Sequence, residues 1–128
     1  MKIKTIRSQV VRVPLDEPLA GGPPYARSHN QFVILRVETE DGVEGIGVSF
    51  FGGALSPTLK HAVDQLGEII IGDDPLRIEA LTQKLRTAAA SAGPGGIVAL
   101  AIAGIDMALW DIKGKYLGQS LGFMLGGL

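Results

Sequence analysis

Phe32-Val33-Ile34-Leu35-Arg36-Val37-Glu38-Thr39-Glu40-Asp41-Gly42-Val43-Glu44-Gly45-Ile46-Gly47-Val48-Ser49-Phe50 is the stretch that decides the fold. Phe32 to Val37 is aliphatic and β-branched, which favours a strand. Glu40-Asp41-Gly42 reads as a hairpin turn, with Gly42 free to take positive φ. Val43 to Phe50 then returns as a further strand. Gly45 and Gly47 inside it predict close approach of another backbone or side chain. Upstream, Ile3, Thr5, Val10, Val11 and Val13 lie in a β-branched stretch that ends at Pro14. The segment Leu15 to His29 follows, with Pro18, Gly21, Gly22, Pro23 and Pro24. At about fifteen residues it is long for a connection in a compact domain, and loops of that length are usually functional or disordered. These three strands form an antiparallel meander.

Downstream of the strands the period changes to that of helices. Ser56 is placed as an N-cap with Pro57 at N1. Leu59, Ala62, Val63, Leu66, Ile69 and Ile70 follow at helical spacing, and Gly72 stops the run. Asp74-Pro75 restarts it, with Ile78, Leu81 and Leu85 on one stripe. Ser91-Ala92-Gly93-Pro94-Gly95-Gly96 is a break. A long apolar helix then runs from Ile97 to Lys113, with the stripe Ile97, Leu100, Ala101, Gly104, Ile105, Ala108, Leu109 and Ile112. Val98 and Ile102 fall off that stripe, so this helix should be covered on several sides. A short last helix is placed near Leu121 to Leu125. Strands followed by helices make an α+β domain. The expected core includes Val33, Leu35, Val37, Leu66, Leu81, Leu85, Ile105 and Leu109.

Composition narrows the function. The 128 residues suffice for one domain. Twelve basic and 13 acidic residues give a net charge of −1, which offers no strong electrostatic term to nucleic acid or to an anionic membrane. No apolar stretch approaches the length of a membrane span. There is no cysteine, so disulfides and thiolate metal sites are excluded. Met1-Lys2-Ile3-Lys4 is not followed by an apolar run of the signal-peptide kind, and a cytoplasmic protein is expected. Hydrophobic residues reach 46%, with 18 glycines, and the mean hydropathy is +0.28. So apolar a chain of this size should either pack against something else or be part of a longer protein.

Generic catalytic motifs are absent. Gly45-Ile46-Gly47 begins like a dinucleotide fingerprint, but Phe50 stands where the third glycine belongs. Gly93-Pro94-Gly95-Gly96 precedes a helix without the Lys-Ser/Thr of a phosphate loop. His61 and Asp64 lie three residues apart on a helix, where a solvated surface pair is the simpler reading than a catalytic dyad.

One segment is specific. Ala101-Ile102-Ala103-Gly104-Ile105-Asp106-Met107-Ala108-Leu109-Trp110-Asp111-Ile112-Lys113-Gly114-Lys115, continuing through Ser120-Leu121 to Met124-Leu125-Gly126, closely resembles the N-terminal-domain signature of the mandelate racemase / muconate lactonizing enzyme family, within the enolase superfamily. Ser120 departs mildly from the proline common there, which bears only on how the last helix starts. The meander, the long first loop, Phe50-Phe51-Gly52-Gly53 and the Gly-Asp-Asp-Pro between helices suit the same family. The resemblance therefore covers the whole of residues 1–128 as an N-terminal capping domain. Asp106 and Asp111 stand in apolar company and are read as structural, since a buried carboxylate must be paired or hydrogen-bonded.

The resemblance implies a parent enzyme in which a (β/α)₈-type barrel follows this domain. Strand-end carboxylates of that barrel hold Mg²⁺, and barrel residues abstract the proton α to a substrate carboxylate. No catalytic residue and no metal ligand is expected in this chain. Lys113-Gly114-Lys115 imitates the family's K-x-K base motif, but that motif needs a strand, whose period of two puts both lysines on one face. Here the lysines close a helix, where cations suit the dipole. The cap's own role is to close the barrel mouth and choose a small carboxylate or sugar acid, through loops at Leu15–His29 and Ser49–Leu55. Tyr25, Arg27 and His29 are the candidate substrate-binding residues of the first loop, and Phe50 and Phe51 the walls of the second. Ordinary loop side chains are the bland alternative for each. The parent is expected to be a racemase, cycloisomerase or acid-sugar dehydratase, and a homo-oligomer. A free-standing, non-catalytic α+β module that binds a ligand or a partner chain is the alternative.

Overall fold

The structure, a computed structural model, describes residues 1–16, 29–50 and 54–127. Strands β1 (Ile3–Pro14), β2 (His29–Thr39) and β3 (Glu44–Ser49) precede helices α1 (Ser56–Ile69), α2 (Ile78–Ala88), α3 (Gly96–Leu117) and α4 (Leu121–Met124). The strands form one antiparallel sheet in the order β1-β2-β3. The α+β architecture expected from the sequence is present, and the described residues contain no (β/α)₈ barrel.

The hairpin closes as its residues dictate. Gly42 takes φ 82°, and its N–H donates to the Thr39 carbonyl at 3.0 Å. Thr39 is buried, and its hydroxyl both donates to the Val43 carbonyl and accepts from the Val43 N–H. The adjacent Glu38–Glu44 pair would set like charges opposite each other. Lys4 sits 3.8 Å from Glu38 and Arg36 sits 3.0 Å from Glu44, which relieves that repulsion.

The inner face of β2 presents Val33, Leu35 and Val37, all fully buried. Against it lie Leu59, Val63 and Leu66 of α1 and Ile105, Ala108, Leu109 and Ile112 of α3, while Ile78, Leu81 and Leu85 of α2 extend the same core by packing on α3. All eight residues expected in the core are there. Ile102, off the main stripe of α3, is also buried, so this helix is covered on more than one side.

Some boundaries differ from the sequence reading. β2 begins at His29, ahead of the apolar run, because its polar first residues still pair with the end of β1. His29 is therefore a strand residue opposite Pro14 and not part of a loop. The N-cap of α1 is Leu55, with no side-chain cap, so Ser56 opens the helix and is buried in it. Asp74 and Pro75 form a turn in which the Asp74 carboxylate accepts from the Leu76 N–H at 2.9 Å, and α2 starts only at Ile78. α3 runs on past Lys113 to Leu117 and stops at Gly118, whose φ of 64° no β-branched residue would take comfortably. Ser120 caps α4, its hydroxyl accepting from the Phe123 N–H at 3.2 Å.

Candidate functional site

The two loops singled out in the sequence leave the same end of the sheet. β1 ends at Pro14 and β2 begins at its partner His29, so the first connection departs and returns there. β3 ends at Ser49, opposite Val33, and Phe50 follows directly. Of the candidate substrate-binding residues, His29 and Phe50 are thus brought to one edge of the domain. Tyr25, Arg27 and Phe51 lie outside the described residues.

Phe50 is 47% exposed. Its ring packs on Phe32, with centroids 5.5 Å apart and planes at 41°. Sequence reasoning missed Phe32. The signal was present in the register: counting back from the hairpin turn, Phe32 falls opposite Phe50, one step beyond the Val33–Ser49 pair. Val11 is the partner of Phe32 on the other side. Val11, Phe32 and Phe50 therefore form one apolar row across the outer face of the sheet, at the end that carries both loops.

What holds this end in place is the packing of β3 on α3. A Cβ built on Gly47 would lie 1.9 Å from the Gly104 carbonyl oxygen, and one on Gly45 would lie 2.1 Å from that of Ala108. Strand and helix backbones are thus in direct contact, which only glycine permits. Gly104 faces the same seam, where a Cβ would meet Leu35 at 2.8 Å. Ser49 Oγ donates to the Leu100 carbonyl at 2.7 Å, fixing the last residue of β3 immediately before Phe50.

The carboxylates and lysines of the α3 signature divide between two tasks. Asp111 Oδ2 accepts the Ile46 N–H at 2.9 Å and pairs with Lys115 at 2.8 Å. Lys115 Nζ also donates to the Glu44 carbonyl at 2.7 Å. Together they satisfy backbone groups of β3, an edge strand of the sheet. Lys113 instead lies over the Trp110 ring, 4.9 Å from its centroid, a cation–π contact. The two lysines therefore engage different partners, as helical spacing requires. Asp64, likewise, accepts from Ser8 of β1 and from Lys60, the latter at 2.6 Å, which braces α1 on the sheet.

Asp106 belongs to a separate feature. It lines a cleft of about 700 Å³ between α2 and α3, with Glu79, Thr82, Arg86 and Trp110 among its walls. Thr82 Oγ1 donates to Asp106 at 3.3 Å. Burial raises the Asp106 carboxyl above the usual aspartate range; the Thr82 hydrogen bond opposes this, Glu79 adds to it and Arg86 opposes it. Helical geometry places Asp106, Ile102 and Trp110 on the side of α3 turned away from Gly104 and Ala108, and so away from the sheet. The cleft was not foreseen, because it needs the position of α2 against α3.

Among the described residues, no group of three or more His, Asp or Glu is arranged to hold a metal ion. These described residues therefore offer no carboxylate cluster suited to a magnesium centre. No helix among them is long and apolar enough to cross a membrane.

Residues 6–126 match the family model described as mandelate racemase / muconate lactonizing enzyme, N-terminal domain. The chain belongs to that family. Its relatives in the mandelate racemase / muconate lactonizing enzyme group are longer. A protein named D-galactonate dehydratase from Ralstonia pickettii (strain 12J) is 46% identical over 98 residues, which is 77% of this chain and 25% of that protein. The structure of L-talarate dehydratase from Polaromonas sp. JS666, complexed with Mg and L-glucarate, superposes with a TM-score of 0.88 at 32% identity, covering 98% of this chain and 35% of that one. L-talarate/galactarate dehydratase from Salmonella typhimurium LT2 gives 0.87 at 29% identity, over 98% of this chain and 33% of that one. The chain thus spans a quarter of the curated relative and about a third of these solved chains. Its own extent corresponds to their N-terminal domain, and the relatives are acid-sugar dehydratases of the enolase superfamily.

Proposed function

We propose that this domain is the substrate-specificity cap of a magnesium-dependent enzyme that dehydrates or racemises a sugar acid by abstracting the proton α to its carboxylate. One observation carries the reading: both loops expected to meet substrate spring from a single sheet end, where His29 and Phe50 stand. A barrel domain of the same enzyme would supply the magnesium ligands and the base. The dehydratase names and the L-glucarate complex among the relatives favour a polyhydroxy acid over an aromatic one. In this reading Tyr25, Arg27 and His29 meet the distal end of the acid, and Phe50 and Phe51 wall the mouth against water. A fixed cation and an imidazole hydrogen-bonding group suit a polar, anionic ligand.

The test uses the full-length enzyme, assayed with Mg²⁺ against a panel of aldonic and aldaric acids. Turnover of one or a few of them is expected, with the preference altered when residues 1–128 are replaced by the corresponding domain of a relative. Turnover whose preference is indifferent to that exchange would remove the specificity role. No turnover of any acid would remove the enzyme class.

A second reading, a free-standing ligand-binding module, is supported by the cleft beside Asp106. It requires the domain to be a stable monomer by itself, which sedimentation of the isolated chain decides.

A further inference from the structure

Phe32 is absent from every feature so far assigned to substrate, yet it is the residue against which Phe50 rests. We propose that Phe32 is a positioning residue for substrate discrimination, acting through the Phe50 wall. The inference rests on the specificity-cap reading and deepens it.

Three observations bear on it. Phe32 stands on the outer face of β2, between inner residues of which Val33 is fully buried, so the strand's alternation fixes its direction. Its own position is anchored by pairing with Val11 in β1, and its neighbour Val33 pairs with Ser49 at the end of β3. Phe50 by contrast stands one residue past the end of β3, 47% exposed, and depends on neighbours for its orientation. The tilted ring pair is the described contact that holds it, and such pairs prefer offset or tilted geometries over face-to-face stacking.

The consequence is a division of labour. Ser49 fixes the backbone ahead of Phe50 through its bond to the Leu100 carbonyl. Phe32 fixes the ring. Removing Phe32 leaves the backbone path intact and frees the Phe50 ring to turn. A wall remote from the reacting carbon contributes equally to ground state and transition state, so its loss raises KM more than it lowers kcat.

The experiment compares Phe32→Ala, Phe32→Leu, Phe32→Tyr, Phe50→Ala and the Phe32→Ala/Phe50→Ala pair in the full-length enzyme, on its best and second-best sugar acids. Phe32→Ala is expected to change the ratio of the two kcat/KM values by about three- to tenfold, chiefly through KM, the size an aromatic pair can supply. Phe32→Tyr should restore the wild-type ratio. The double variant should show no more than Phe50→Ala alone, because both act through one ring. If Phe32→Ala fails to fold, Phe32→Leu keeps the apolar volume and tests the same ratio. A ratio moved by Phe50→Ala but untouched by Phe32→Ala and Phe32→Leu would overturn the inference and leave the cap reading standing. A ratio untouched by Phe50→Ala as well would overturn the inference and remove Phe50 as a wall, while the exchange of residues 1–128 decides the cap reading separately. Loss of melting temperature with an unchanged ratio would make Phe32 merely structural.

Discussion

Asp111 of α3 accepts the backbone N–H of Ile46 in β3 at 2.9 Å, across 65 residues of sequence. The contact gives an edge strand a partner that another strand would otherwise supply, and so blunts an open sheet edge. Lys115 completes it from the next helical turn. Asp111→Ala should therefore destabilise the domain, by about 0.5–1.5 kcal/mol, the usual net worth of a hydrogen bond, since water can reach the freed Ile46 N–H. Because the carboxylate is about a third exposed, the lower part of that range is expected. Lys115→Met should cost less. Urea unfolding of the two variants measures both, and an Asp111→Ala protein as stable as wild type would deprive the contact of energetic weight.

The seam between β3 and α3 yields a sharper expectation. Gly47→Ala would drive a methyl to 1.9 Å from the Gly104 carbonyl oxygen, with backbone on both sides and nothing flexible to yield. Strand and helix must then separate, uncovering Leu35, Ile105 and Ala108. A loss of roughly 3 kcal/mol or more is expected, at the far end of what single substitutions do. Gly95→Ala is the control, since no atom lies within 4 Å of its built Cβ and its φ is negative. It should stay within about 0.5 kcal/mol of wild type. Comparable melting temperatures for the two variants would contradict the close packing.

Much of this seam was legible beforehand. Gly45 and Gly47 in a strand, and Gly104 and Ala108 in a helix, announce close approach, and the alternation around Val33, Leu35 and Val37 names the buried face. The hairpin register also implies Phe32 opposite Phe50, a count that the sequence reading did not make. Sequence period could not show which helix face meets which strand, so the bonds of Asp111 and Lys115 to β3 were invisible. Nor could it show the cleft, whose walls come from α2, α3 and the turn between them. Helix starts were misjudged: Ser56, read as a cap, is inside α1, and Asp74-Pro75, read as the restart of the helical pattern, forms a turn ahead of α2.

Asp106 provides a pH-dependent test. Burial raises its folded-state pKa above that of the unfolded chain, so within that interval the native state binds more protons than the unfolded state. Stability from this group is present at low pH and is lost as pH rises through the folded pKa. Asp106→Asn has no such loss and keeps an acceptor for Thr82 Oγ1. The variant should match wild type in strong acid and exceed it at neutral pH, the gap opening between the ordinary aspartate pKa and the raised one. Urea midpoints at a series of pH values give the curve. A gap that opens the other way would mean that Arg86 and Thr82 outweigh burial.

The surface at the C-terminal end of α3 carries the last expectation. Tyr116, Leu117, Phe123 and Leu125 are each at least half exposed, and Leu121 lies beside them in sequence. α4 is a single short turn that covers Gly114 and little else. An apolar patch beyond a few hundred Å² is unusual on a soluble monomer. At about 25 cal/mol per Å², covering several hundred would contribute on the order of 10 kcal/mol before the costs of association. That gross term is comparable to the whole stability of a small domain. The isolated 128-residue chain should therefore sediment above its monomer mass of 13.4 kDa. Phe123→Ser/Leu125→Ser should return it toward monomer without moving the melting transition, because neither side chain belongs to the core. If the wild-type chain is a monomer with amides protected throughout α3 and α4, the domain needs no cover. The free-standing-module reading then gains over the cap reading.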